Sequence, residues 1–127
     1  MIIDGKKLAN KMKEDIKKKV KRMSFRPGLA VVLVGNDPAS EIYVRFKEKA
    51  CKNVGFYSKK IVLAADASQK KLLQKIEQLN NDSKIHGILV QLPLPKGLDE
   101  KQVIQAIKPE KDVDCFHPVN TGKLALI

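Results

Sequence analysis

The chain has 127 residues, 43% of them apolar and 31% charged, with a formal net charge of +11 at neutral pH. That is the length of one domain, with apolar content enough for an ordinary core. No apolar run reaches the length of a bilayer span, and the lysine-studded start lacks the apolar centre of a signal peptide. Cys51 and Cys115 show no metal or redox spacing and read as free thiols of a reducing cytoplasm.

The charge is concentrated at one end. Ten of the basic residues fall in the first 26, on a segment where Leu8, Met12, Ile16 and Val20 recur every four residues. That pattern predicts a helix over residues 4–22 with one narrow apolar stripe and lysines on its other faces. A charge this strong raises a basic nucleic-acid-binding module as an alternative. No aromatic residue interrupts it before Phe25, however, so the expectation is a solvated surface helix.

After Arg26-Pro27-Gly28, the apolar run Leu29–Val34 predicts a buried strand. Asp37 then reads as an N-cap and Pro38 as the first position of a helix that runs to about Val54, with Gly55 as its stop. Ala39, Ile42, Phe46 and Ala50 are its expected apolar stripe. Residues 56–63 read as a second strand, and Asp66–Ser68 as caps for a helix carrying Leu72, Leu73, Ile76 and Leu79. Ile85–Leu92 reads as a third strand stopped by Pro93 and Pro95. A short helix over about Asp99–Ile107 and a loop over Lys108–Asn120 follow. Alternating strands and helices imply an α/β fold, three layers αβα around a small parallel sheet. The turn Gly35–Ser40, Gln91 and the loop with Asp112 and Asp114 are expected to meet at the carboxyl rim of that sheet, where such folds place ligands.

Few residues here carry chemistry. Tyr43 and Lys47 are four apart, hence on one helix face. Gln91 interrupts an apolar stretch, and a buried amide needs partners. Asp114 sits in a turn-like segment where aspartates commonly bond their own backbone. His86, at a strand start, reads as structural, while His117, before Pro118, fits either a structural or a site role, with the structural one favoured. There is no G-x-G-x-x-G or G-x-x-x-x-G-K loop, no histidine close to Ser40 in sequence, and no His/Cys cluster for a metal.

Together these segments resemble the bifunctional methylenetetrahydrofolate dehydrogenase/cyclohydrolase family of one-carbon metabolism. The resemblance rests on Gly35-Asn-Asp-Pro-Ala-Ser40, Tyr43-Val-Arg-Phe-Lys47, Ile76-Glu-Gln-Leu-Asn-Asn-Asp82 and Gly87-Ile-Leu-Val-Gln-Leu-Pro-Leu-Pro95. Lys111-Asp-Val-Asp114, His117-Pro118 and Asn120 complete it. It implies that residues 1–127 are the amino-terminal, folate-binding catalytic domain of a two-domain dehydrogenase. Lys47 is the implied catalytic lysine, Tyr43 stacks on the folate, Gln91 lies against the lysine, and Asp114 holds the pterin. Val90 and Leu92, on either side of Gln91, are implied substrate-binding positions. The implied reactions are NADP-dependent oxidation of 5,10-methylenetetrahydrofolate and hydrolysis of the methenyl product to 10-formyltetrahydrofolate. A homodimer at full length, a cytoplasmic location, a link to purine biosynthesis, and neither nucleic-acid nor membrane partners are implied as well. A non-catalytic folate-binding or oligomerisation fragment is the other reading.

The residue types suit that chemistry. A carboxylate accepts two hydrogen bonds from an amino-pyrimidinone edge, and a phenol offers a flat face with a polar tip. An ordinary lysine, with a pKa of about 10.4, is charged at neutral pH and becomes a base only when its neutral form is favoured. Gln91 helps only with its NH₂ towards the amine; its carbonyl would favour the ammonium. Two departures from the family stand out. Cys115 follows Asp114 where the family usually has glycine, and the dinucleotide-binding domain with its NADP site is absent from these residues. The chain alone is therefore expected to lack dehydrogenase activity.

Overall fold

The structure, a computed structural model, describes residues 3–126. Its elements are α1 (Gly5–Lys21), β1 (Gly28–Val34), α2 (Pro38–Val54), β2 (Tyr57–Leu63), α3 (Gln69–Asn81), β3 (Gly87–Val90), α4 (Glu100–Ala106) and α5 (Pro118–Ala125), with a 3-10 turn at Pro109–Lys111. The three strands are parallel in the order β2-β1-β3. β1 is the centre of the sheet. Ala30, Val32 and Val34 face a core with Leu72, Ile76 and Leu79 of α3 and Val103 of α4. Val31 and Leu33 face the other way, with Val44 of α2 and Leu89. Period-two alternation on a strand buried on both faces thus yields the expected αβα sandwich.

Local signals fix the ends of α2. The Asp37 side chain accepts from the Ser40 N–H, Pro38 opens the helix, and Gly55 closes it in the left-handed region at φ 90°. Its buried face is different from the expected stripe. Ser40, Val44, Cys51 and Val54 point inward, whereas Ile42 is 51% and Phe46 65% exposed. The inward set follows i, i+4, i+11, i+14, a face selected by fit against the sheet. The larger apolar side chains were left on the outer flank. α1 buries none of its residues fully: along its apolar stripe Leu8 is 53% and Met12 56% exposed, while Val20 is half-buried.

Two further differences lie towards the end of the chain. The third strand is shorter than expected, four residues, because Ile85 N–H is taken by Asp82 in a turn before it. The expected loop ends at Pro118, which opens α5; the His117 ring accepts from Val119 N–H as its cap. Both histidines are structural, since His86 Nδ1 accepts from Gly28 N–H at 3.0 Å.

Asn80, one of the few buried polar side chains, joins α3 to the region after α4. Its Nδ2 donates to the Ala106 carbonyl at 2.8 Å and its Oδ1 accepts from Lys108 N–H at 3.0 Å. Asn80→Ala strands both backbone groups, and a loss of about 2–4 kcal/mol is expected in a denaturant titration. A change below about 0.5 kcal/mol would assign no structural role to those two bonds.

Candidate active site

Lys47 sits on α2, Gln91 directly follows β3, and Asp114 lies on the loop before α5. They line one cavity of about 260 Å³ together with Leu89, Val90, Leu92 and Phe116. Gln91 is held at the strand end by its own N–H, which donates to the Val32 carbonyl at 2.9 Å. The Lys47 ammonium donates to Gln91 Oε1 at 2.9 Å, across 44 residues of sequence. Gln91 Nε2 donates to the Leu92 carbonyl at 2.8 Å. That second bond sets the amide's orientation. Turned over, the amide would put its oxygen against a carbonyl and its NH₂ against an ammonium. The oxygen therefore faces Lys47 and accepts from its amine.

The Asp114 loop is built by its neighbours. Lys111 Nζ donates to the Leu79 and Asp82 carbonyls at 3.1 Å each, satisfying groups at the end of α3. Ile88 and Asp112 then form an isolated parallel bridge beside β3. Gly87 permits this approach: a Cβ there would come within 2.6 Å of Val113 Cγ1. The Asp112 carboxylate accepts from His117 N–H at 2.9 Å, Phe116 N–H at 3.4 Å and Asn120 Nδ2 at 3.0 Å. Burial pushes the Asp112 carboxyl up, but these bonds outweigh it and hold the group below the usual carboxylate value. Asp112 is thus a fixed anion that ties the loop together.

Asp114 is the opposite case. Desolvation by the cavity walls pushes its carboxyl up, the Lys47 charge pulls it down, and Asp112 pushes it up again, for a net rise. Asp114 as a residue remains exposed, so a partly desolvated carboxyl lies within reach of solvent and ligands.

Cys115, between these groups, has φ 60°. A side chain in the left-handed region is strained by about 1–2 kcal/mol, and glycine in its place would relieve that strain. Cys115→Gly is expected to leave stability unchanged or raise it by up to about 1 kcal/mol, after glycine's added unfolded-state entropy. Thermal unfolding measures this, and a marked loss would contradict the account. Cys51 is buried, and burial and then the Glu48 charge push its thiol up, which makes it a poor nucleophile.

Not every expected residue joins the cavity. Lys47, Val90, Gln91, Leu92 and Asp114 do; Tyr43, one helical turn before Lys47, is 60% exposed and is not on its wall. The turn at Gly35, Asn36 and Asp37 lines a neighbouring depression of about 250 Å³ with Ala65, Pro93 and Pro95. It launches α2 and does not enter the Lys47 cavity. Phe116 was missed, although an aromatic residue two positions from a candidate binding carboxylate was a signal available in the sequence.

The Asp37, Ser68 and Asp99 side chains accept N-terminal N–H groups of α2, α3 and α4.

Comparison with known proteins identifies the family. The model of the tetrahydrofolate dehydrogenase/cyclohydrolase family, catalytic domain, matches residues 3–114. The chain belongs to this family. A bifunctional protein FolD of Halothermothrix orenii is 57% identical over 126 residues, covering 97% of this chain and 44% of that protein. The crystal structure of the bifunctional enzyme FolD, methylenetetrahydrofolate dehydrogenase/cyclohydrolase, from Campylobacter jejuni superposes with a TM-score of 0.94 at 45% identity, covering 97% of this chain and 45% of that one. The Trypanosoma brucei N5,N10-methylenetetrahydrofolate dehydrogenase-cyclohydrolase, complexed with NADP cofactor and inhibitor, superposes with a TM-score of 0.92 at 36% identity, covering 98% of this chain and 43% of that one. The chain therefore spans under half the length of these relatives.

Proposed function

We propose that residues 1–127 form the folate-binding catalytic domain of a methylenetetrahydrofolate dehydrogenase/cyclohydrolase. The enzyme would oxidise 5,10-methylenetetrahydrofolate with NADP and hydrolyse the methenyl product to 10-formyltetrahydrofolate. The observation that carries this is the Lys47–Gln91 contact at 2.9 Å in one cavity with a partly desolvated Asp114. An amine and a carboxylate from distant segments, in a small apolar-walled cavity, suit a substrate with a polar edge and a hydrolysable bridge.

In this reading Asp114 accepts two hydrogen bonds from the pterin edge, and Val90 and Leu92 line the slot. Tyr43, on the same helix face as Lys47, meets the aminobenzoyl part outside it. Lys47 begins as an ammonium. The methenyl substrate carries a delocalised positive charge, and its arrival beside a second cation favours release of the Lys47 proton to solvent. The free amine takes a proton from the water whose oxygen bonds to the bridge carbon. Lys47 returns that proton to N5 as the carbon–N5 bond breaks. The remaining hydroxyl proton leaves as the formyl carbonyl forms and recharges Lys47, so one proton is released per turnover. Gln91 positions the ammonium and recovers it after each cycle.

NADP binding is assigned to the part of the longer relatives beyond this region, and no step above runs through it. Dimerisation at full length, a cytoplasmic location and a supply of one-carbon units to purine biosynthesis complete the proposal. The test is titration of this chain with 5-formyltetrahydrofolate, followed by its intrinsic tyrosine fluorescence. Saturable binding that survives added salt is expected. Absence of folate binding, with steeply salt-dependent oligonucleotide binding in its place, would favour a basic binding module. Incubated with 5,10-methylenetetrahydrofolate and NADP, this chain alone is expected to form no NADPH, and its appearance would overturn the assignment of the cofactor site.

A further inference from the structure

The aromatic side chain on the wall of the Lys47 cavity is Phe116, and Tyr43 is not part of that wall. We propose that Phe116 is a ligand-contacting residue whose ring lies against the flat heterocycle held at its edge by Asp114. The inference rests on the folate reading above and adds a contact which that reading does not contain.

Phe116 is 53% exposed and belongs to neither core cluster. A large apolar ring left half in water, on the wall of a cavity, has surface for a ligand to cover. Its placement is fixed in advance. Asp114 and Phe116 are two residues apart with left-handed Cys115 between them, and both reach the same cavity. The Phe116 and His117 N–H groups donate to Asp112, and Thr121 Oγ1 donates to the Cys115 carbonyl at 2.9 Å. A ring on a tied-down loop needs little ordering when ligand binds.

The shape of the cavity narrows the choice of group. Val90 and Leu92 supply apolar surface, Phe116 an aromatic face and Asp114 an acceptor. A flat ring system with donors along one edge matches that slot. The cavity's volume of about 260 Å³ falls below the ~300–1,000 Å³ of pockets that enclose a whole drug-sized ligand. It therefore takes one end of a folate, and the carboxylate selects the pterin end over the aminobenzoylglutamate end, which is itself anionic.

The experiment titrates wild type, Phe116→Ala and Phe116→Leu with 5-formyltetrahydrofolate, pterin-6-carboxylate and p-aminobenzoylglutamate. Phe116→Ala should weaken the first two by about tenfold, equal to ~1.4 kcal/mol, and leave the third unchanged. Phe116→Leu should fall between, and circular dichroism melts should superimpose because the ring is not core. If wild type binds 5-formyltetrahydrofolate and both variants match it, the Phe116 contact is refuted and the folate reading stands. A selective loss of p-aminobenzoylglutamate also refutes it. If wild type binds no folate, the folate reading fails and this inference with it. Should the alanine protein not fold, the leucine protein alone decides: unchanged pterin affinity overturns the proposal.

Discussion

Lys47→Met, placed in a chain of the relatives' full length, is expected to lower methenyltetrahydrofolate hydrolysis by about 10²–10⁴-fold, the range for losing a general acid–base group. The expectation follows from the geometry of one amide. Gln91 Oε1 accepts from Lys47 at 2.9 Å while Gln91 Nε2 is committed to the Leu92 carbonyl. The lysine is thus held in place at the cavity by that acceptor. Methionine keeps the length and apolar stem of the side chain but has no proton to move. The loss should fall on kcat, with KM changing less, because the group acts on protons in the transition state. Lys47→Gln should behave likewise. Undiminished turnover in either protein would remove Lys47 from the chemistry.

Asp114→Ala is expected to weaken 5-formyltetrahydrofolate binding by about a hundredfold or more. Two hydrogen bonds to a charged acceptor contribute about 1.5–3 kcal/mol each, and each 1.4 kcal/mol is tenfold. Wild-type binding should also fall on acidification. Desolvation raises the Asp114 carboxyl, so it protonates at a higher pH than an ordinary aspartate and affinity declines from just above the usual carboxylate range. Asp114→Asn should lose that limb of the profile together with most of the affinity. The stability effect has the opposite sign. Between the unfolded and the raised folded pKa the native protein binds the extra proton, so Asp114 favours folding less as pH rises through that window. Asp114→Asn should therefore be neutral or slightly stabilising at neutral pH, and small because the residue is exposed. Unaltered folate affinity in Asp114→Ala would place the pterin elsewhere.

How much of this was legible beforehand depended on how local the cause was. The Asp37 cap, Pro38 and the Gly55 stop act within a few residues, and α2 spans the predicted residues. The buried face of α2 depends on the sheet beneath it. Hydrophobicity picked Ile42 and Phe46; the folded structure buries Ser40, Val44 and Cys51, with Val44 packed against Val31 and Leu33 of β1. Pro118 looks like a loop residue, yet proline at a first helical position continues into α5 once His117 caps it. The meeting of Lys47, Gln91 and Asp114 was anticipated through the family resemblance. The direction in which the Gln91 amide faces was not, because it depends on where a neighbouring carbonyl lies after folding. Asp112 and Asn120 carried no assigned role, and their bonds, which shape the Asp114 loop, span 4 to 8 residues of an irregular segment.

The most direct test is a crystal structure of this chain with 5-formyltetrahydrofolate bound. The account predicts the amino-pyrimidinone edge on the Asp114 carboxylate and the N5–N10 region within hydrogen-bonding reach of Lys47 Nζ, with Gln91 still accepting from that amine. A folate bound away from Asp114, or one whose N5–N10 region lies beyond Lys47, would contradict it.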